Sequence, residues 1–242
     1  MKVSIIIPTY NEAKTLPQIL EAVRTASFGF FAEREIIVVD DGSLDNTKEL
    51  LADEKNVIVI HLPTNQGKGA ALKKGFARAS GDIVMIQDAD LEYDPADYPR
   101  LLDPIMKGRA DVVYGSRFRG TYRRSIYFWN AVGNKFVTTL SNLFTGLNLT
   151  DMETGYKAFR REIIDSFKNR LRSKRFGIEP ELTARVAHAR LPLPGTSGQT
   201  RARVFEVPIN YYGRTYEEGK KIGFWDGIKA VCAVIYFNVI DR

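Results

Sequence analysis

The chain has 242 residues, 44% of them apolar and 26% charged, with a formal net charge of +6. That length and apolar content support a full core and suit one α/β domain or two small ones. One cysteine, Cys232, excludes an intramolecular disulfide framework and fits a reducing compartment. No apolar run reaches about 18 residues and the basic start is only Lys2, so neither a membrane-spanning helix nor a secretory signal is expected.

The apolar run 3–7 predicts a strand stopped by Pro8, followed by a helix over about 13–26. A second strand over 35–39 ends at Asp40-Asp41-Gly42-Ser43, and Asp45 is placed to cap a helix running to about Ala52. A third strand covers 57–61, and Asn65-Gln66-Gly67-Lys68-Gly69 opens a helix to about Ala79. Strands over 82–87 and 111–114 bracket a helix over 95–106. Beyond Arg117 the pattern changes: a helix over 126–144, a polar turn over 151–157, a short strand with another helix, and a helix over 179–189. Residues 191–200 read as a surface loop, 203–209 as a strand and 222–240 as a final helix.

Near-continuous Ile/Val strands alternating with helices imply a mostly parallel sheet buried on both faces. Ligands bind such sheets beyond the carboxyl ends of the strands. Tyr10-Asn11-Glu12, Asp40-Asp41, 65–68, Asp88-Ala89-Asp90 and Gly115-Ser116-Arg117 all fall at such ends, so they are expected to converge on one rim. Asp88 and Asp90, at spacing two past a strand, project the same way. They supply oxygen ligands of the kind needed by one hard divalent cation that also grips a diphosphate.

The charge is uneven. Residues 1–114 carry 13 Lys/Arg against 18 Asp/Glu, residues 115–175 carry 13 against 4, and residues 176–242 carry 9 against 7. The basic middle block points to an anionic partner: phosphate, nucleic acid or a membrane surface. Lys168, Arg170, Arg172, Lys174 and Arg175 read equally well as a solvated helix end and loop.

Pro8-Thr9-Tyr10-Asn11-Glu12, Asp40 to Thr47, Asn65 to Gly69 and Asp88 to Leu91, in that order, resemble a family 2 glycosyltransferase of the GT-A fold. Gly115-Ser116-Arg117, Gly155-Tyr156-Lys157 and Arg214 followed by Gly219-Lys220-Lys221 narrow the resemblance. They point to the branch of dolichyl-phosphate mannose synthases and polyprenyl-phosphate glycosyltransferases. The resemblance implies a single GT-A (Rossmann-like) α/β domain over 1–242. Its mostly parallel mixed sheet is flanked by helices and followed by a C-terminal amphipathic helix. Residues 1–115 would bind a nucleotide sugar and residues 116–242 the acceptor.

It also implies roles. Pro8, Tyr10, Glu12, Val39 and Asp41 would form the nucleotide pocket, Asp41 accepting from a base N–H and Tyr10 lining the ring, with Lys68, Asp88, Ala89 and Asp90 completing the donor set. Asp90 is the first choice as direct Mg²⁺ or Mn²⁺ ligand, Glu92 an extra one, and Asp88 a contact to ribose, sugar or metal-bound water. A sugar hydroxyl needs a carboxylate base to attack, whereas a lipid phosphate is already anionic and needs positioning by arginine. Arg117 and Arg214 are the foremost acceptor-side residues, with Arg123, Arg124, Lys220 and Lys221 assisting; Arg119 lies in the same region. The segment 212–219 would close over the donor. Asp151 and Glu153 either act as a base or have a structural role, orienting Arg117 or capping the next element, and the structural role is favoured.

The expected activity is metal-dependent, inverting transfer of a hexose from GDP-mannose or a UDP-sugar to a polyprenyl or dolichyl phosphate. The alternative is transfer to a hydroxyl in cell-wall or polysaccharide assembly. A non-enzymatic nucleotide or nucleic-acid binder is disfavoured, since the Asp pair repels phosphate without a metal and no interleaved aromatic platform is present. Residues 126–144 and 224–240 read either as core helices or as interfacial ones. The resemblance implies peripheral attachment to the cytoplasmic face of a membrane.

Overall fold

The structure is a computed structural model of residues 1–242, in which all residues are described except 29–32, 121–123, 125–126, 193–197, 216 and 218–222. Five stretches rich in β-branched side chains, buried in all but the half-buried β3, form parallel strands: β1 (Lys2–Thr9), β2 (Glu33–Asp40), β3 (Val57–His61), β4 (Ile83–Ile86) and β5 (Val112–Ser116). With β6 (Lys157–Arg160) and β9 (Val204–Pro208) they make a seven-stranded sheet of order β3-β2-β1-β4-β6-β5-β9. Every pairing is parallel except those of β6, which runs against both β4 and β5. The expected mixed, mostly parallel sheet is therefore present.

Alternation along β1 builds two cores. Ile6 faces a layer containing Val39, Phe76, Val84, Ile86, Val112 and Phe159. Ile5 and Ile7 face the opposite layer with Ile36, Val38, Met85, Tyr98 and Val113. The first layer is covered by α3 (Lys68–Arg78), α6 (Arg161–Phe167) and α7 (Ile178–His188). α5 (Phe128–Thr145) and α8 (Phe224–Ile235) lie outside α7 and pack on each other. The second layer is covered by α1 (Leu16–Thr25) and α4 (Tyr98–Met106), while α2 (Thr47–Ala52) follows the second rim loop.

Several boundaries differ from expectation for local reasons. α1 begins at Leu16, later than about 13. Asn11 takes a left-handed φ of 54°, and Pro17 in the first turn fits only where its missing N–H is not needed. The segment 95–106 starts as one 3₁₀ turn, capped by the Asp94 side chain accepting from Ala96 N–H, before α4. The final helix gives way at Tyr236 to a π-helical turn over Tyr236–Ile240. The expected loop 191–200 is flanked by a hairpin, β7 (Arg190–Pro192) paired with β8 (Gln199–Arg201), whose Leu191 is buried against the first layer. Three-residue strands are too short to show alternation in sequence.

Candidate active site

The parallel strands deliver their following loops to one rim, and the turn before β6 arrives there from the opposite direction. On the β2–β3 side the geometry is set by Asp40 and Asp41. Asp40 accepts from Ser43 N–H at 3.0 Å and meets His61 Nδ1 at 2.9 Å. Asp41 accepts from Gln66 N–H at 2.8 Å and Gly67 N–H at 2.6 Å. Asp41 therefore fastens the glycine loop, and a base N–H would have to share its remaining lone pairs. Gly67 has φ of 100°, which an L side chain rarely adopts. Pro8 and Tyr10 are half-buried at the rim. Val39 is fully buried in the first core layer, just before Asp40 and Asp41.

The acidic motif follows β4. Asp88 is gripped by Lys68, whose Nζ lies 2.7 Å from one carboxylate oxygen and 3.0 Å from the other. Lys68 also reaches Glu179 at 3.0 Å, and Glu179 pairs in turn with the fully buried Lys157. Burial opposes charge on both Lys68 and Glu179. The Asp88 and Glu179 carboxylates nevertheless raise the pKa of Lys68, and the two ammonium groups hold Glu179 below the usual carboxylate range. Beneath Asp88, Gln87 accepts from the hydroxyls of Tyr98 (2.7 Å) and Tyr156 (2.6 Å) and donates to the Asp88 carbonyl. Tyr93 stacks on Tyr156 with ring centroids 4.7 Å apart and receives Gly155 N–H at 2.8 Å. A Cβ on Gly155 would lie 2.1 Å from Asp88 Oδ2, so the acceptor-side turn and the acidic motif are in contact.

Leu91 has φ of 61°, a strained setting for a branched apolar residue. That turn brings Asp90 and Glu92 to the same guanidinium. Arg214 Nη2 lies 3.0 Å from Asp90, its Nε 3.3 Å from Glu92, and its Nη1 3.9 Å from Glu12. Glu92 also accepts from Arg214 N–H (2.9 Å) and the Tyr211 hydroxyl (2.8 Å). Burial, with the Asp88 and Glu92 charges and against the pull of Arg214, pushes the Asp90 carboxyl up to about 7.

Glu92 anchors the segment 211–214, its carboxylate engaged by three donors that a cation there would have to displace. Among the described residues no group of three His, Cys, Asp or Glu side chains is poised around one point, because Lys68 and Arg214 stand between the acids. The fit to one divalent cation rests instead on Asp90 and Asp88. Asp90 is crowded by like charge that a cation would relieve, and the carboxylate oxygens suit Mg²⁺ or Mn²⁺. The remaining ligands would come from a diphosphate, and Arg214 would have to yield.

The expected acceptor side is built around Arg117, at the end of β5. Its backbone N–H and Nε donate to Asp151 Oδ2 at 3.0 and 2.7 Å, and Nη2 donates to Oδ1 at 2.7 Å. Asn134 of α5 donates to the same Oδ1 at 3.2 Å, and Glu206 of β9 accepts from Thr150 and Asp151 N–H. The Arg117 guanidinium lies 5.3 Å from the Tyr211 ring centroid, which joins it to the Glu92–Arg214 cluster. Asp151 is thus the partner of Arg117. Glu153 has one buried oxygen with no partner among the described residues, and burial with the Glu179 charge pushes its carboxyl up to about 7.

The structure therefore brings together Glu12, Lys68, Asp88, Asp90, Glu92, Arg117 and Arg214, with Ala89 buried between the two aspartates. Arg124 borders the group, donating to the Gly213 carbonyl at 3.3 Å. Arg119 turns away to Glu206 at 3.5 Å. Arg123, Lys220 and Lys221 lie outside the described residues. Glu179, Tyr211 and Asn134 belong to the cluster and were given no role from sequence, and Lys157 entered only through the Gly155-Tyr156-Lys157 motif. The signals were a lysine inside the apolar stretch of β6 and an acidic pair opening α7, both without an evident partner in sequence.

Similar proteins place this geometry. The chain is 38% identical over 170 residues to undecaprenyl-phosphate 4-deoxy-4-formamido-L-arabinose transferase of Proteus mirabilis (strain HI4320). The match covers 68% of this chain and 51% of the relative, so the chain spans about half the length of that curated relative. Glucosyl-3-phosphoglycerate synthase of Mycobacterium tuberculosis has a similar structure. In complex with Mn²⁺, UDP and glucosyl-3-phosphoglycerate it aligns with a TM-score of 0.70 at 21% identity, over 98% of this chain and 80% of that one. With Mn²⁺ and UDP-glucose the TM-score is 0.71 at 20% identity, over 98% and 79% of the two chains. That likeness is one of fold, the GT-A fold expected from sequence. Residues 4–167, from β1 through α6 and including the acidic motif and Arg117, match the family model for glycosyl transferase family 2, and the chain belongs to that family.

Proposed function

We propose that this chain transfers a hexose from a UDP- or GDP-linked donor to a polyprenyl phosphate, with inversion and with a divalent cation. The observation that carries the acceptor reading is the half-buried Arg117, held bidentate by the buried Asp151 and linked through Tyr211 to the acids of the donor side. Because Asp151 engages Nε and Nη2, Nη1 is the edge left to meet an incoming phosphate. Residues 1–115 hold most of the donor site and residues 116–242 the acceptor site, though Glu179, Tyr211 and Arg214 cross over to the donor acids.

In this reading a phosphate oxygen attacks the anomeric carbon from the face opposite the diphosphate. The bond from that carbon to the diphosphate oxygen breaks, its electron pair leaves with the nucleoside diphosphate, and no proton has to be removed. Arg117 orients the attacking phosphate. Asp151 fixes the plane of that guanidinium, and Lys68 fixes Asp88 against the donor. A divalent cation at Asp90 and Asp88 would supply neutralisation of charge on the leaving diphosphate.

The curated relative acts on undecaprenyl phosphate by name and the solved neighbour binds Mn²⁺ and UDP, which supports the acceptor class and the cation. The relative's sugar is a formamido-arabinose, which weakens the narrower expectation of mannose. Peripheral seating on the cytoplasmic face of a membrane is supported by the exposed Phe128, Trp129, Phe136 and Leu143 of α5 and Trp225 of α8. No helix among the described residues is long and apolar enough to cross a membrane. A hydroxyl acceptor is favoured by one observation, the partnerless oxygen of Glu153, which is the available base. Incubation with UDP- and GDP-sugars, Mn²⁺ and a short polyprenyl phosphate, followed by extraction of lipid-linked sugar, tests the reading. Transfer supports it; nucleotide release only with a hydroxyl acceptor overturns it.

A further inference from the structure

The basic run at 172–175 is built into the donor side. The buried carboxylate of Glu181 accepts from Arg172 N–H (2.9 Å) and Ser173 N–H (2.7 Å), and Ser173 Oγ donates to the Gly177 carbonyl at 3.0 Å. Lys73 of α3 donates to the Leu171 carbonyl at 3.0 Å, and Ala70 N–H donates to the Lys174 carbonyl at 3.0 Å. The loop thus lies along the glycine segment 67–69. A Cβ on Gly69 would fall 2.2 Å from the Ser173 carbonyl oxygen, and one on Gly67 would fall 2.5 Å from Arg175 Cγ. Gly67 is the residue whose N–H holds Asp41, and Lys68 beside it holds Asp88 and Glu179. The exposed Arg175 therefore stands at the edge of the donor cleft, its stem across Gly67.

Charge gives this placement a purpose. Among the described residues, the cations within bonding range of Asp88, Asp90 and Glu92 are Lys68 and Arg214, and both are committed to those acids. A diphosphate brings further negative charge into that cleft. Among the described residues Arg175 forms no ion pair, so its charge is available. We propose that Arg175 binds the phosphates of the nucleotide donor, closing the donor cleft from the α7 side; this rests on the donor reading above.

The test is calorimetric titration of the whole chain, with Mn²⁺ present, by a nucleoside diphosphate and by the matching nucleoside. Arg175→Met keeps the aliphatic stem on Gly67 and removes only the charge. It is expected to weaken the diphosphate about tenfold while leaving the nucleoside within about twofold and the melting temperature unchanged. Arg175→Lys, which restores charge without the planar fork, recovers part of that loss. The acceptor KM is expected to stay constant, which separates donor phosphate from acceptor phosphate. Unchanged diphosphate affinity, equal loss for the nucleoside, or a raised acceptor KM overturns the proposal. Failure of the unaltered chain to bind any nucleoside diphosphate overturns the donor reading itself, and is distinguishable because no variant is involved.

Discussion

Asp151→Asn separates a positioning carboxylate from a catalytic base. Asp151 is fully buried and receives three hydrogen bonds from Arg117 and one from Asn134, so the amide would leave a half-buried guanidinium without its counter-charge. Removing one partner of such a pair costs about 3–5 kcal/mol. Asparagine keeps the volume and one acceptor oxygen, which points to the lower end, about 3 kcal/mol. For a chain of this size each kcal/mol shifts the melting temperature by about 2–4 °C, so a drop of about 6–12 °C is expected. Thermal unfolding followed by circular dichroism, alongside nucleotide affinity and turnover, gives the comparison. Turnover should fall together with stability, the acceptor KM should rise, and donor affinity should hold. A variant that melts within about 2 °C of the parent yet loses more than about a hundredfold in kcat would refute the reasoning and make Asp151 the base.

Glu153→Gln tests the neighbouring carboxyl. Burial and the Glu179 charge raise its pKa from 4.5 to about 7, so the folded state binds the proton more tightly than the unfolded state. Stability tied to this group is therefore full below about pH 4.5 and lost as pH rises toward 7. The glutamine variant should be more stable than the parent at pH 8, and a less stable variant would contradict the assignment. Arg214→Ala should bind Mn²⁺ about tenfold more tightly in the absence of nucleotide, because the guanidinium 3.0 Å from Asp90 competes for the same oxygens. Isothermal titration reads this directly, and weaker binding would show that Arg214 organises the cation site. Glu35 behaves oppositely to Glu153. Burial raises its pKa, but hydrogen bonds from Ser4, Ser80 and Lys2 outweigh that and bring it from 4.5 to about 2. Its contribution is present above about pH 4.5 and disappears as pH falls toward 2. Glu35→Gln should cost about 3 kcal/mol at pH 7 and flatten the acid-unfolding curve in that window, measured by urea titration at several pH values.

Legibility in sequence followed the range of the interaction. Apolar runs such as 3–7 and 83–86 announce buried strands, and parallel strands bring their trailing loops together, so Tyr10, Asp41, Lys68 and Asp88 could be placed on one rim without knowing any contact. Partners were another matter. A sequence shows that Lys68 is charged but not that it joins Asp88 to Glu179, residues far apart in the chain. Arg214 read as an acceptor residue because the resemblance put it in the region that binds acceptor phosphate; the structure shows it on Asp90 and Glu92, beside the bridge between Tyr93 and Tyr211. Glu92 matched a ligand position by spacing, while its actual engagement depends on the left-handed turn at Leu91. Val39 sits one residue before the rim, and the period of two turned its side chain into the core.

The reversed direction of β6 has a consequence for how this scaffold can vary. Asp88 trails β4, Arg117 trails β5, and the turn bearing Asp151 leads into β6 between them. Neighbouring strands are about 4.8 Å apart, so the ends of β4 and β5, two positions apart in the sheet, stand about 10 Å from one another. In the proposed reading the sheet acts as a ruler between the donor and acceptor anchors. Its graduation is the short pairing of β6, Ile83 with Arg160, Val84 with Phe159 and Met85 with Ala158. A slip of one residue there would turn Lys157 to the opposite face, away from Glu179. Loops can therefore exchange one sugar or one carrier for another while the distance between the reacting partners stays written in the register of a four-residue strand.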